Sequence, residues 1–176
     1  MSCQLFITTK SRKMNAILLI TSTVLTGLMA GLFYAWSISV TPGLAQVSDH
    51  HYLQSFQAMN RAILNPAFLV AFLGLVILLP ALTYLNYGGR WSARFWYIAG
   101  ATVLYLGGII AITFFGNVPL NDALEQLTIE AMTPDQMDTF RLEFEDKWNR
   151  LNWARTISSL LAFLLLVLAC LENAGK

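Results

Sequence analysis

FEDKWNRLNWARTISSLLA, Phe144 to Ala162, decides how the rest of the chain is read. It starts as an acidic, polar segment and ends inside an apolar one. At helical spacing Asn149, Asn152, Thr156 and Ser159 recur in steps of three and four, so they share one face. Arg155 lies beside that face, three residues after Asn152. From Leu160 to Leu171 nearly every residue is apolar, as in a membrane helix. An arginine and several amides at the mouth of such a helix are costly unless they are paired or face water. The stretch therefore predicts polar partners on neighbouring helices.

Composition agrees with a membrane setting. The chain has 176 residues, 56% hydrophobic and 12% charged, against about 25% charged in a soluble domain. The length suits one domain. A net charge of +1 leaves no general basicity, so nucleic acid is not an expected partner. Cys3 and Cys170 sit near opposite termini with no C-x-x-C pair. That excludes a thiol redox motif and a zinc knuckle and leaves two unpaired thiols. No Gly-rich phosphate loop is present. The only histidines, His50 and His51, are adjacent and fall in an expected loop, so they cannot ligate a haem inside a bundle. Asp49-His50-His51 is a weak metal candidate, because consecutive side chains do not easily converge on one ion. The expectation is a solvated loop, no metal and no cofactor.

Four apolar runs are long enough to span a bilayer. The expected spans are about 16–40, 65–84, 95–115 and 153–171, in a single domain covering 14–172. Residues 1–13 are expected as a largely unstructured cytoplasmic tail, and 173–176 as a second one. A cleaved signal peptide is the competing reading of the first run. That run exceeds the ~7–15 residues of a signal core, and Leu28 before Ala30 departs from the cleavage pattern. Gly27 and Gly31 in the first span, and Gly100, Gly107 and Gly108 in the third, favour close helix contact. Pro42-Gly43 is expected to end the first helix. Pro66 suits the first turn of the second, and Pro80 is placed to kink its far end. Leu120, Leu124 and Leu127 predict a short amphipathic helix, followed by a break. Thr133-Pro134-Asp135-Gln136 then predicts a capped start for a helix that runs into the last span. The fold class expected is all-α: a transmembrane antiparallel four-helix bundle with a partly helical external loop between spans three and four.

Basic residues set the expected orientation. Lys10, Arg12, Lys13, Arg90, Arg94 and Lys176 lie at one end, which the bias of such residues places in the cytoplasm with both termini. The opposite end then gathers the polar ends of four helices. Trp36, Ser37 and Ser39 come from the first span; Gln57, Asn60, Arg61 and Asn65 lead into the second. Thr113, Asn117 and Asn121 close the third; Trp148, Asn149, Asn152, Trp153 and Arg155 open the fourth. Asparagines cap helices and tryptophans line interfaces, so a purely structural role is one reading. The other is a ligand pocket lined by amides, aromatics and arginine. In that pocket Arg155 is expected to pair with carbonyl oxygens of Asn60, Asn65, Asn117 and Asn121.

Four runs carry a family resemblance: GLFYAWSISVTPGL (Gly31–Leu44), QAMNRAILNPAF (Gln57–Phe68), NVPLNDAL (Asn117–Leu124) and WNRLNWART (Trp148–Thr156). In order and spacing they resemble the anthrone oxygenase-like family of small four-helix membrane proteins, over about Met14 to Leu171. The resemblance implies oxidation of an anthrone to an anthraquinone without metal or flavin, an activity that fold alone does not fix. Such chemistry needs a base for a carbon-bound proton, a fixed donor or cation for the anion formed, and an apolar wall. Arg155, Asn152 and Asn60 are the catalytic candidates for the second role. Trp36, Trp148, Trp153 and Tyr34 are candidates for the third. Trp36, Asn60, Asn65, Asn117, Asn121, Trp148, Asn149, Asn152 and Arg155 form the expected binding set. For the base only His51, Asp122 or Glu145 come into question, and none is decisive; an acidic phenolic substrate ionises without one. The alternative is a non-enzymatic membrane protein that binds a small lipophilic molecule or acts as a scaffold. The absence of intramembrane acids argues against a proton-coupled transporter. Expected partners are membrane lipids and a small lipophilic or phenolic ligand, with a homo-oligomer left open.

Overall fold

Thr133 starts the longest helix through the reciprocal cap that its sequence predicts. Its Oγ1 accepts from the Gln136 N–H at 3.3 Å, and its own N–H donates to Gln136 Oε1 at 2.8 Å. In the computed structural model the resulting helix, α7 (Pro134–Leu171), runs unbroken from the acidic segment through the apolar run. The structure describes residues 2–87 and 92–172, with side chains described from residue 13 onward. Arg90 and the tail 173–176 lie outside the described residues. So do the side chains of Cys3, Lys10 and Arg12.

Helix α1 (Ser2–Ala35) widens into a π segment at Trp36–Val40 and then a short α2 (Thr41–Leu44). Two expectations change here. Residues 2–13, expected to lack structure, continue α1, because no Gly or Pro interrupts the sequence and propagation adds one bond per residue. Pro42 does not end the helix either. Proline lacks the N–H and crowds the carbonyl four residues back; the wider π turn before it absorbs both. The same device recurs at the other side of the bundle. α5 (Ala93–Tyr105) passes through π segments at Leu106–Ala111 and Thr113–Asn117 into α6 (Val118–Glu125), with Pro119 in the first turn of α6. Between these elements lie α3 (Asp49–Ile63) and α4 (Pro66–Asn86). α4 continues past Pro80 to Asn86.

Among the described residues four helices are long and apolar enough to cross a membrane: Lys13–Leu44, Pro66–Asn86, Ala93–Glu125 and Pro134–Leu171. Along their apolar stretches the exposed residues are apolar as well. Ile17, Ile20, Val24 and Leu28 form a stripe on α1, and Ile157, Leu160, Leu161 and Leu164 one on α7. Water would penalise such a continuous apolar belt, and lipid does not. The chain is a membrane protein.

The bundle closes as a ring, α1 against α4, α4 against α5, α5 against α7, and α7 back against α1. Its core runs through Leu19, Phe33, Phe72, Leu75, Tyr105, Ile109 and Leu166. The α5–α7 seam is tightest where a β-carbon on Gly108 would overlap the Ser158 side chain. A β-carbon on Gly27 would likewise come within 2.9 Å of the Phe163 ring. Gly31 and Gly107, also expected at close contacts, face open space. Lateral hydrogen bonds add to the packing: Tyr105 Oη donates to the Phe72 carbonyl at 2.9 Å, and Thr83 pairs with Thr102 at 2.8 Å. At the end bearing α1's start, Asn15 and Asn86 exchange two amide bonds of 3.2 and 3.0 Å.

A second small core roofs the opposite, loop end. Tyr52, Leu53 and Phe56 of α3 pack with Leu124, Ile129, Phe144 and Trp148. His50 and His51, expected in a loop, lie in the first turn of α3, whose apolar face drives the helix into this core.

Candidate functional site

Beneath that roof lies a cavity of about 110 Å³. Two elements with π segments reach it: Trp36 opens the first, and Thr113 opens the last. π turns re-aim side chains and often mark functional positions. α3 contributes Met59, Asn60 and Ile63, and α6 Asn121. α7 contributes Trp148, Asn152 and Arg155, spaced at one helical face.

Arg155 is the centre of the polar wall and only 6% exposed. Its Nη2 donates to Asn152 Oδ1 at 2.8 Å and its Nη1 to Thr113 Oγ1 at 3.3 Å. The guanidinium carbon sits 4.7 Å from the Phe33 ring centre and 5.3 Å from that of Trp148. Asn152 is held in turn, its Nδ2 donating to Ser37 Oγ at 2.8 Å and to the Phe33 carbonyl at 3.4 Å. Thr156 completes the set, bonded to Ser37 Oγ at 2.8 Å and to the Phe33 carbonyl at 3.0 Å. The chain Thr156–Ser37–Asn152–Arg155 fixes where the positive charge lies.

Among the described residues no carboxylate lines the cavity to answer that charge, and the Arg155 Nε is buried without a hydrogen-bond partner. Asn60 Nδ2, on the opposite wall, is in the same condition. Both residues line the cavity, and both unpartnered atoms are donors. A buried donor without an acceptor costs about 1–3 kcal/mol, more when charged. The arrangement is therefore unfinished on the acceptor side.

The partners expected for Arg155 need correction. Asn60 and Asn121 share its cavity, but the guanidinium bonds to neither; Asn152, one turn back, and Thr113 take their place. Asn121 is spent on Trp148, accepting from Nε1 at 2.9 Å and so fixing the indole. Asn117 is buried below Trp148, donating to its carbonyl at 3.5 Å, and does not line the cavity. Asn65 caps α4: its Oδ1 accepts from the Phe68 N–H at 3.1 Å, and its Nδ2 donates to the Ala62 carbonyl at 2.9 Å. Asn149 lies off the cavity wall. Tyr34 and Trp153 are exposed on the outer bundle surface, each one residue, or about 100°, away from a position that faces inward. Of the expected aromatic wall Trp36 and Trp148 line the cavity, joined by Phe33, with Phe56 edge-on to both tryptophans at 5.5 and 4.9 Å.

None of the three base candidates lines the cavity. His51 is bonded to Ser48 at 2.8 Å within its own turn, and Asp122 is exposed. Glu145 is held by Arg141 at 2.9 Å. Arg141 itself is a residue that spacing alone underrates. It bridges Glu145 and Asp49, donates to the Val47 carbonyl and lies 4.4 Å over the Tyr52 ring, tying the connection before α3 to α7. The Tyr52 phenol is pushed well above its ordinary pKa, by burial first and by Glu145 second, with Arg141 pulling the other way.

The anthrone oxygenase family model matches residues 54–165. The chain belongs to the anthrone oxygenase family. The match takes in three of the runs that suggested it, with Asn60, Thr113, Asn121, Trp148, Asn152 and Arg155 of the cavity. The Gly31–Leu44 run, which brings Phe33 and Trp36, lies outside it. No curated protein and no solved structure matches the chain. Within an anthrone oxygenase family member, the cavity offers one fixed cation, one spare amide donor and flat aromatic walls.

Proposed function

We propose that this protein oxidises a flat, lipophilic phenol or enol of the anthrone type in the cavity beneath its roof. The observation that carries this is Arg155: a buried guanidinium with no carboxylate partner, between aromatic rings. Such a fork suits the oxygen of a phenolate or enolate, and a low-dielectric wall strengthens the interaction. Stabilising that anion lowers the cost of taking the substrate proton. The carbanion form then gives electrons to dioxygen. A CH₂ loses two hydrogens and becomes C=O; one oxygen atom of O₂ enters the product and the other leaves as water. Among the described residues no base lines the cavity, so the proton leaves to solvent from a substrate already acidified by Arg155. Asn152 and Thr113 act as positioning residues for Arg155. Cofactor-free turnover is part of this proposal.

The same missing base favours the second reading, a lipophilic-anion binding protein without turnover. Oxygen uptake separates them. With anthrone, the protein in lipid nanodiscs is expected to consume one O₂ for each anthraquinone formed, and Arg155→Lys to lose about 10²-fold in rate. Wild-type protein that binds anthrone and consumes no oxygen would leave the binding reading alone.

We also infer that both termini are cytoplasmic, supported in the sequence by the basic clusters Lys10, Arg12, Lys13 and Arg90, Arg94.

A further inference from the structure

The cavity walls differ in how far they are covered. Phe33, Trp148, Asn152 and Arg155, from α1 and α7, are buried. The opposite wall, from the α3–α4 elbow and the start of α6, is half-buried, and Leu64 at the elbow is 67% exposed. The more exposed wall therefore runs from the elbow to Thr113 and the start of α6. Its loop side is shut. Gln57 Nε2 donates to the Leu124 and Leu127 carbonyls at 2.9 and 3.1 Å, and Arg61 pairs with Glu125 at 2.6 Å, each joining α3 to α6 or the residues just after it. The side towards the span centres carries Val70, 70% exposed, and Phe115, 87% exposed. Both lie two residues from a cavity-lining residue, Phe68 and Thr113, so they face lipid beside the cavity and show only that this side of the bundle is apolar.

We propose that a mouth in this wall opens sideways into the bilayer and that Leu64 is its gate residue. The ligand, a flat apolar molecule with an anionic or phenolic oxygen, enters from the membrane with that oxygen leading to Arg155. The roof bars the ligand from the aqueous side, while protons and water still pass. This rests on the function proposed above for the ligand's chemistry, while the mouth itself rests on wall exposure alone. A gate residue changes the rates of entry and exit together and leaves the equilibrium between them untouched.

Two experiments test it in nanodiscs. The first follows binding of anthracene-9-carboxylate, a fluorescent flat anion, by stopped flow. Leu64→Trp is expected to slow association and dissociation each by about tenfold, with Kd within about threefold. Unchanged rates would overturn the gate. Leu64 is exposed at a helix end, so this substitution is expected to fold. The second experiment needs no ligand. Leu64→Cys, in a Cys3→Ser and Cys170→Ser background, is expected to react faster with a bilayer-dissolved pyrene maleimide than with an anionic, water-soluble thiosulfonate. Free cysteine in solution normalises the two reagents. The reverse order would place the mouth in water and overturn the proposal. Wild-type protein that binds no carboxylate would count against the proposed function, and the thiol comparison would still decide the mouth.

Discussion

Two tyrosines show how differently a buried hydroxyl can be used. Tyr105 donates to the Phe72 carbonyl and links α5 to α4. Tyr52 is fully buried in the roof, and its Oη has no partner. Tyr105→Phe is expected to lower stability in detergent by about 0.6 kcal/mol, the average for a hydrogen bond between membrane helices. Tyr52→Phe is expected to leave thermal stability unchanged or raise it, because it removes an unsatisfied polar atom and keeps the ring under Arg141. A Tyr52→Phe protein clearly less stable than Tyr105→Phe would mean that the roof hydroxyl has a partner. At this scale the sequence was only partly legible. The i, i+3 spacing placed Asn152 and Arg155 together, but it could not tell that Asn152 would satisfy Arg155 directly. Asn65 looked like a site amide and is a helix cap, since cap and ligand use the same chemistry. Phe33 was findable, three residues before Trp36 on the same face.

Between elements, the sharpest constraint is the α5–α7 seam. Gly108 has no room for a side chain beside Ser158, whereas Gly107 faces open space. Gly108→Leu is expected to force the two helices apart and to unfold at markedly lower temperature in detergent, while Gly107→Leu stays near the wild type. Equal losses in both variants would contradict the seam. Adjacent glycines read alike in sequence, because small-residue spacing does not say which face meets a neighbour. Helix existence was easier. The Thr133 cap, the amphipathic α6 and the long α7 follow from local chemistry that acts within a few residues. The π segments were not legible: Pro42 and Pro119 announce a break, and only packing at both ends turns the break into a widened turn.

At the scale of the whole molecule, a lipid-facing bundle carries a roofed, cationic cavity at one end. Orientation is checked by reporters: fusions after Gly88 and Lys176 are expected to read cytoplasmic, and one within Glu125–Thr133 external. A cytoplasmic reading for that connection would invert the placement of the cavity. The bundle itself was legible because four apolar runs long enough to cross a bilayer leave few alternatives. The roof was not, since α3 looks polar until its Tyr52, Leu53 and Phe56 face meets Leu124 and Phe144. The central claim is that a fixed, unanswered cation selects the ligand. Its most direct test is the affinity of reconstituted protein for anthracene-9-carboxylate against the neutral anthracene-9-methanol, which has the same flat body. The carboxylate is expected to bind at least about tenfold more tightly, and Arg155→Gln to abolish the difference. Equal affinity for the two in the wild type would contradict it.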